Sequence, residues 1–334
     1  MYDEALSKQL KSKLSNNPTN TNVMNQLAIA ELETHRYEQA YELFKKAVEI
    51  APTVQSLTNL GYFYLHEGEP NNDGSFSHAA SKAIDLLEQA ISLKPKTKYP
   101  YSLLGEAYLK IKNYRKAEEV LKKAVAIKGD FANWNNLGVA LYKQGQPGEA
   151  ARWFHEAHKG KPDDSSYRPY LNYGVCLAQM GEFSEAEHVA KVLLSSQDDS
   201  IDFLDISQIY YETLNYTKVI TLFEDYTYSW GLDWAVFYLY SLHRYKQDAE
   251  AVLVLKEAIA KIHEAINEII EDTDEDWTED EREEIIKDLT NEIDRYKEEF
   301  SKIKTGYRPP INFNPFIESK CYLFGCRRHN NPEY

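Results

Sequence analysis

Three side chains near the end of the chain could bind a metal ion. Cys321, Cys326 and His329 follow the spacing C-x4-C-x2-H, and thiolate and imidazole groups are ligands that zinc prefers. A structural zinc site needs four ligands, and the neighbouring sequence offers no fourth at a comparable spacing. A disulfide between Cys321 and Cys326 is a second alternative, and free, packed thiols are a third. We favour free thiols, so no metal is expected and the three residues are weak candidate ligands.

An acidic run from Glu271 to Glu284 offers a second possible metal site. The acids that fall at positions 1, 3, 5, 9 and 12 of an EF-hand calcium loop are Asp272, Asp274, Asp276, Asp280 and Glu283. Position 6, where such a loop needs glycine for a sharp turn, is Trp277. We therefore favour a solvated acidic turn that leads into a helix, because a helix N-terminus stabilises carboxylates.

The sequence contains no recognisable catalytic motif. It has no phosphate-binding loop, no G-x-S-x-G elbow and no H-E-x-x-H pair. Cys176 lies between Val175 and Leu177 on an apolar helix face, which favours a buried structural cysteine over a nucleophile. We predict that the protein is not an enzyme and needs no cofactor.

A repeat with a period near 34 residues runs along the chain before the acidic run and includes Cys176. A large residue followed by glycine recurs as Leu60-Gly61, Leu104-Gly105, Leu137-Gly138 and Tyr173-Gly174. Within each repeat the apolar residues are spaced i, i+3, i+4, i+7, which indicates two amphipathic helices. Glycine lies where one helix must approach another closely.

The best repeat, from Trp134 to Pro162, resembles the tetratricopeptide repeat (TPR) family. The family pattern W-x2-L-G-x2-Y…A-x3-F…P is matched by Trp134, Leu137, Gly138, Ala150, Phe154 and Pro162, with Leu141 in place of tyrosine. Repeats begin near Thr21, Val54, Lys98, Phe131, Ser166 or Tyr167, and Ser200, and a weaker one covers Trp234 to Ile262. The resemblance implies an all-α fold, a right-handed superhelix (α-solenoid) of helix-turn-helix repeats, and a bacterial-type adaptor.

We predict three regions along the chain. Residues 1–265 form the TPR solenoid, with an insertion at 69–78 that is rich in turn-forming residues and is interpreted as a loop. Residues 266–304 form the acidic turn and a capping helix that covers the apolar end of the array. Residues 305–334 form an irregular tail, which we expect to pack on the solenoid because its aromatic residues would be costly to leave in water.

The resemblance also implies where a partner binds, since TPR proteins line their concave face with particular positions of the first helix. Asparagine recurs beside these positions and offers both a donor and an acceptor, so it could bind the backbone of an extended peptide. Alternatively, these asparagines satisfy neighbouring helix ends. The predicted partner-binding residues are Asn25, Asn59, Tyr62, Asn135, Asn136, Tyr142, Arg168 and Asn172.

Composition narrows the partner class. The net charge of −15 argues against nucleic acid and anionic membrane and favours a protein or peptide with a basic surface. Three cysteines, no apolar leader and no membrane-spanning run predict a cytoplasmic protein. We predict a non-enzymatic protein- or peptide-binding scaffold that uses its concave face. The alternatives are an immunity-type inhibitor that masks a basic toxin domain, and an array whose own tail occupies the groove.

Overall fold

The computed structural model describes residues 4–70, 76–77, 79–160, 167–196, 201–224, 232–245, 247–271 and 278–334, with the backbone alone for 69–70, 76–77 and 232–234. The predicted all-α fold is confirmed: the described residues form sixteen α-helices and one pair of two-residue strands. The first nine helices are α1 Glu4–Asn16, α2 Thr21–Leu32, α3 Tyr37–Ile50, α4 Val54–His66, α5 Ala80–Ser92, α6 Tyr99–Lys110, α7 Tyr114–Lys128, α8 Phe131–Tyr142 and α9 Pro147–Lys159. The others are α10 Arg168–Gln179, α11 Phe183–Leu194, α12 Phe203–Glu212, α13 Tyr216–Glu224, α14 Leu232–Arg244, α15 Asp248–Glu271 and α16 Glu279–Lys304.

Several first helices of the repeats begin at a side-chain cap, whereas α6 begins after Lys98 without one. Asn20 accepts the N–H of Val23 before α2, and Asp130 accepts the N–H of Asn133 before α8. Thr53 and Ser56 form a reciprocal capping box before α4. These caps satisfy N–H groups that have no partner within the helix, and they place the helix starts within a residue or two of the starts predicted from the repeat.

The glycines at the start of the repeat motif allow the two helices of one repeat to meet. A Cβ atom added at Gly61, Gly105 or Gly138 would lie 2.9, 2.5 or 2.7 Å from a side chain of the second helix. Those side chains are Leu87, Leu121 and Phe154, all of them fully buried. Any larger residue at the glycine would push the two helix axes apart, so this step of the motif fixes the packing of the repeat.

The insertion in the second repeat contains more order than the predicted loop. Its ends pair as antiparallel strands, β1 Glu69–Pro70 and β2 Phe76–Ser77, with Glu69 opposite Ser77. Residues 71–75 and 78 lie outside the described residues. The prediction of a plain loop is therefore wrong at both ends of the insertion, where backbone hydrogen bonds join the strands.

The chain divides into two compact units. One contains the residues up to Tyr173 together with Pro315–Tyr334, and the other contains Gly174–Asn314. In the second unit, the long helix α16 packs on α14 and α15, and Tyr296 contacts Ala235 in a small apolar core. Thr278 and Glu281 form a capping box at the start of α16. The candidate calcium ligands Asp272, Asp274 and Asp276 lie outside the described residues.

Candidate functional site

The first unit has a row of polar side chains that are buried on one surface. We call this surface the inner face; it is formed by α2, α4, α6, α8 and the part of α10 up to Tyr173. Along it α2 packs on α4, α4 on α6 and α6 on α8, and Asn172 of α10 bonds to Asn135 of α8. Buried polar groups need hydrogen-bond partners, so a row of them in a helical core requires an explanation. Its members are Asn25, Thr58, Asn59, Ser102, Glu106, Asn135, Asn136 and Asn172.

The part of the predicted tail that belongs to this unit, Pro315–Tyr334, lies on the inner face, and it is called the tail from here on. At one point Asn59 of α4 binds both backbone groups of Phe324: the Phe324 N–H donates to Asn59 Oδ1 at 2.8 Å, and Asn59 Nδ2 donates to the Phe324 carbonyl at 3.2 Å. Asn59 Nδ2 also donates to Asn25 Oδ1 of the preceding repeat at 2.9 Å, which orients the amide. We call this arrangement the Asn59 clamp.

A second clamp binds the tail two repeats further along. The Glu318 N–H donates to Asn136 Oδ1 at 2.8 Å, and Asn136 Nδ2 donates to the Glu318 carbonyl at 2.8 Å. Next to it, Asn135 Nδ2 donates to the carbonyl of Phe316 at 2.8 Å. Asn172 of the following repeat donates to Asn135 Oδ1 at 3.1 Å. This Asn136 clamp repeats the chemistry of the first, since one carboxamide satisfies both the donor and the acceptor of one residue.

Aromatic contacts hold the tail side chains beside the clamps. The Phe324 ring stacks on Tyr99 with centroids 4.9 Å apart, and the terminal Tyr334 ring meets its edge at 5.3 Å. The Tyr99 hydroxyl donates to Asn331 Oδ1 at 3.0 Å. At the other clamp, the Arg168 guanidinium lies 4.1 Å from the centroid of the Phe316 ring, a cation–π contact.

Charged groups between the clamps also contact the tail. The Ser319 hydroxyl donates to the buried carboxylate of Glu106 at 2.6 Å. Burial raises the pKa of Glu106, against the opposing effect of Ser319 and Lys110. Lys320 reaches Asp130 at 3.1 Å, and Lys98 reaches the same carboxylate oxygen at 2.6 Å. Burial opposes ionisation of Asp130, but hydrogen bonds from Lys98 and the Asn133 N–H lower its pKa overall.

Comparison with known proteins identifies the repeat. Two sequence profiles of the tetratricopeptide repeat match residues 21–53, and 77–138 with 141–206. The chain belongs to the tetratricopeptide repeat family. The chain is 25% identical over 169 residues to anaphase-promoting complex subunit 3 of Schizosaccharomyces pombe, a match that covers 43% of this chain. The chain spans about a quarter of the length of that relative, since the match covers 25% of it.

Solved TPR structures resemble the chain at low sequence identity. One is a tetratricopeptide repeat protein from Parabacteroides merdae (14% identity, TM-score 0.45, covering 86% of this chain and 91% of that one). Another is the Cut9-Hcn1 hetero-tetramer of the anaphase-promoting complex (19% identity, TM-score 0.47, covering 75% of this chain and 46% of that one). The expectation of a bacterial-type adaptor stays a prediction, since these proteins come from different kinds of organism.

Six of the eight residues predicted to bind a partner meet the tail or one another on the inner face of the TPR unit. They are Asn25, Asn59, Asn135, Asn136, Arg168 and Asn172. The Tyr62 ring lies 4.4 Å from the His66 ring at a tilted angle, and burial and the nearby Cys321 raise the pKa of its hydroxyl. Tyr142 is half-buried at the end of α8.

Several residues that contact the tail are missing from the sequence-based set, among them three on or next to the first helices of the third and fourth repeats. Tyr99, Glu106 and Asp130 each contact the tail, and the repeat register already placed Tyr99 and Glu106 on the first helix of the third repeat. Asp130 had a signal of its own, because an aspartate directly before a helix is typical of an N-cap. The position of a residue in the repeat does not predict its burial or its ion pairs, and these distinguish the three residues from their neighbours.

The cysteines of the TPR protein are free thiols. Cys176 is fully buried on α10, and burial raises its pKa, as expected of a structural cysteine. Cys321 and Cys326 lie in the tail near His329, whose Nδ1 is 3.3 Å from the Cys326 sulfur. Hydrogen bonds from Cys321 and His329 lower the pKa of Cys326. The disulfide considered from the sequence is absent between these two described residues.

Among the described residues, no helix of the TPR protein is both long and apolar enough to span a membrane.

Proposed function

We propose that the protein is a scaffold that binds an extended segment of another protein along the inner face of its first five repeats. Its own tail covers the same surface, so a partner would compete with the tail. One observation carries this proposal: Asn59 and Asn136 each bind the N–H and the C=O of a single tail residue.

The chemistry of the clamps suits any extended chain. A carboxamide that binds both backbone groups of one residue does not read the side chain, so another polypeptide could replace the tail without loss of hydrogen bonds. The buried amides also favour an occupied face, because an unsatisfied buried polar group costs about 1–3 kcal/mol.

The spacing of the clamps supports the same conclusion. Glu318 and Phe324 are six residues apart in the sequence, and Asn136 and Asn59 lie two repeats apart. Six residues of extended chain span about 20 Å. Helices in contact lie about 8–10 Å apart, so two repeat steps need roughly the same length. A partner segment that engages both clamps must therefore be nearly extended between them.

The two clamps differ in how deeply they bury the side chain of the residue that they bind. The residue at the Asn59 clamp is the buried Phe324, stacked on Tyr99, whereas Glu318 at the Asn136 clamp is half-buried. We infer that a competing segment carries an aromatic residue at the Asn59 clamp. A basic surface on the partner, the cytoplasm as the place of action and the absence of catalysis stay predictions.

A peptide with the sequence Pro315–Tyr334 tests the proposal when it is added to the full-length chain. In the variant Phe324→Ala the internal tail loses its aromatic anchor, so we expect the labelled peptide to bind this variant more tightly than the wild type, as measured by fluorescence anisotropy. Adding Asn59→Ala and Asn136→Ala to that variant should weaken peptide binding at least tenfold.

The matched control is Asn172→Ala in the same background, because Asn172 has the same position in its repeat but bonds to Asn135. A scrambled peptide controls for nonspecific binding. Equal affinity with and without the two clamp asparagines would contradict the proposal.

The immunity-type alternative rests on net charge alone. It predicts a tight one-to-one complex with a basic domain that the clamp substitutions leave unchanged, so the same variants distinguish the two functions.

A further inference from the structure

The last part of the tail is an ordered loop without helix or strand. Hydrogen bonds close it: the Cys326 N–H donates to the Leu323 carbonyl at 3.4 Å, and the Asn331 N–H donates to the Cys326 carbonyl at 2.9 Å. The side-chain Nδ2 of Asn331 also donates to the carbonyls of Cys321 and Leu323, both at 3.0 Å. Gly325 turns the chain with a φ of 83°, which favours glycine.

This loop brings three side chains that can bind a metal to one place. The two sulfurs of Cys321 and Cys326 and a ring nitrogen of His329 all lie within 4.8 Å of one another. The Cys326 sulfur is 3.3 Å from His329 Nδ1. Cys326 is fully buried and Cys321 is half-buried, so the sulfurs are partly shielded from water.

A carboxylate from a distant part of the sequence lies beside Cys326. The Glu33 carboxylate, directly after α2, has Oε1 3.9 Å from the Cys326 sulfur. Its other oxygen pairs with Arg328 at 3.5 Å. The fold thus brings a carboxylate that is nearly three hundred residues away in the sequence next to the Cys326 sulfur.

We propose that Cys321, Cys326 and His329 bind a zinc ion, with the Glu33 carboxylate as the fourth ligand. Zinc prefers a tetrahedron of thiolate, imidazole and carboxylate ligands at about 2.0–2.3 Å, so its ligand atoms lie about 3.5–3.8 Å apart. The separations of 3.3 and 3.9 Å from the Cys326 sulfur bracket that range. Hard cations such as Ca²⁺ and Mg²⁺ require oxygen ligands and do not fit two sulfurs.

The zinc ion links the tail to the first repeat, next to the Asn59 clamp. It crosslinks residues far apart in the sequence, and binding to a folded site stabilises that fold. Zinc therefore holds the tail on the inner face, and its removal frees the face for another segment. This consequence rests on the proposed function, whereas the site itself does not.

Metal titration of the reduced full-length chain tests the site directly. We expect one equivalent of Zn²⁺ to bind after exhaustive dialysis, as measured by elemental analysis. Co²⁺ alone should produce the visible bands of a tetrahedral site and the near-ultraviolet bands of thiolate ligation, and Zn²⁺ should abolish both. A chain that binds neither ion stoichiometrically overturns the proposal, whatever the result with the clamp variants.

Variants assign the ligands. The double variant Cys321→Ser with Cys326→Ser should lose stoichiometric zinc, whereas the control Cys176→Ala should retain it. His329→Asn should lower zinc affinity by at least tenfold, and Glu33→Gln should lower it by roughly tenfold. Circular dichroism confirms that each variant remains helical. Zinc retained at one equivalent by the double cysteine variant overturns the assignment.

Discussion

The Asn59 and Asn136 clamps bind the tail backbone in the same way, but the tail side chains at the two clamps are buried to different extents. Each carboxamide pairs with the N–H and C=O of one residue. Phe324 at the first clamp is 1% exposed and lies against Tyr99, whereas Glu318 at the second is half-buried. Both clamps thus bind the backbone of one residue, and only the first also buries the side chain of the residue that it binds.

A third asparagine at the same repeat position behaves differently again. Asn172 donates to Asn135, and its buried Oδ1 has no hydrogen-bond partner among the described residues. Asn135 then carries the contact to the Phe316 carbonyl. The repeat thus places all three asparagines on one face, but the path of the tail decides which of them meets its backbone directly.

The largest effect is expected from removing the buried ring at the first clamp. Phe324→Ala should destabilise the docked tail by about 3–5 kcal/mol, because a fully buried Phe is replaced by a cavity. Phe316→Ala removes a half-buried ring and one cation–π contact, so about 1–2 kcal/mol is expected. Hydrogen–deuterium exchange of tail peptides in the full-length chain measures both, since the opening free energy sets the exchange rate.

The two phenylalanine variants control for each other. Equal acceleration of tail exchange by Phe324→Ala and Phe316→Ala would mean that the two clamps select side chains equally, and the contrast between them would be wrong.

The clamp asparagines themselves should give the next largest effect. Asn59→Ala and Asn136→Ala each leave one backbone N–H and one C=O of the tail without partners. Each variant should therefore destabilise the docked tail by about 2–3 kcal/mol. Exchange should accelerate at Phe324 in the first variant and at Glu318 in the second. Asn172→Ala, the matched control, should leave both amides protected to within about threefold. Loss of protection in that variant would show that the Asn172–Asn135 contact, and not the clamp alone, holds the tail.

The fold was predictable because the repeat signals are local. The helix pattern, the close Gly138–Phe154 contact and the N-caps depend on residues within one repeat, so the starts of the first helices could be placed closely. The two-residue strands of the insertion could not be predicted from the sequence. The pairing of Glu69 with Ser77 depends on how the intervening loop closes, which turn-forming residues alone do not specify.

The site was predictable only in part. The repeat register places Asn25 and Asn59 on one face, and a period of 34 residues brings them within hydrogen-bond reach. It does not say that Glu33 lies near Cys326, since those residues are joined only through the path of the irregular tail. Long-range contacts of a segment without periodicity leave no local pattern in a single sequence.

The ion pairs between the clamps give a smaller, pH-dependent contribution. The Asp130 pKa is lowered from 3.8 in the folded protein, so the stability due to its ionised form is present above pH 3.8 and is lost as the pH falls through the lowered value. Asp130→Asn keeps an N-cap acceptor but leaves Lys98 without its ion pair, which should cost about 2 kcal/mol at neutral pH. Urea unfolding monitored by circular dichroism at pH 7 and pH 3 measures this.

The difference between wild type and the Asp130→Asn variant should shrink at the lower pH. An undiminished difference would show that the charge of Asp130 is not what stabilises the fold, because that charge is lost in acid.

The smallest effect is expected from removing the exposed charge of Lys320, which lies between the clamps. Lys320 is 42% exposed and reaches Asp130 at 3.1 Å, so water and salt screen the pair. Lys320→Ala should therefore accelerate exchange at Glu318 and Phe324 by less than about fivefold, since exposed pairs contribute at most about 1 kcal/mol. The small change should vanish in high salt, where the wild type loses the same contribution. A large, salt-independent effect would mean that packing of the Lys320 side chain, whose Nζ lies 5.9 Å from the centroid of the Phe131 ring, matters more than its pairing with Asp130.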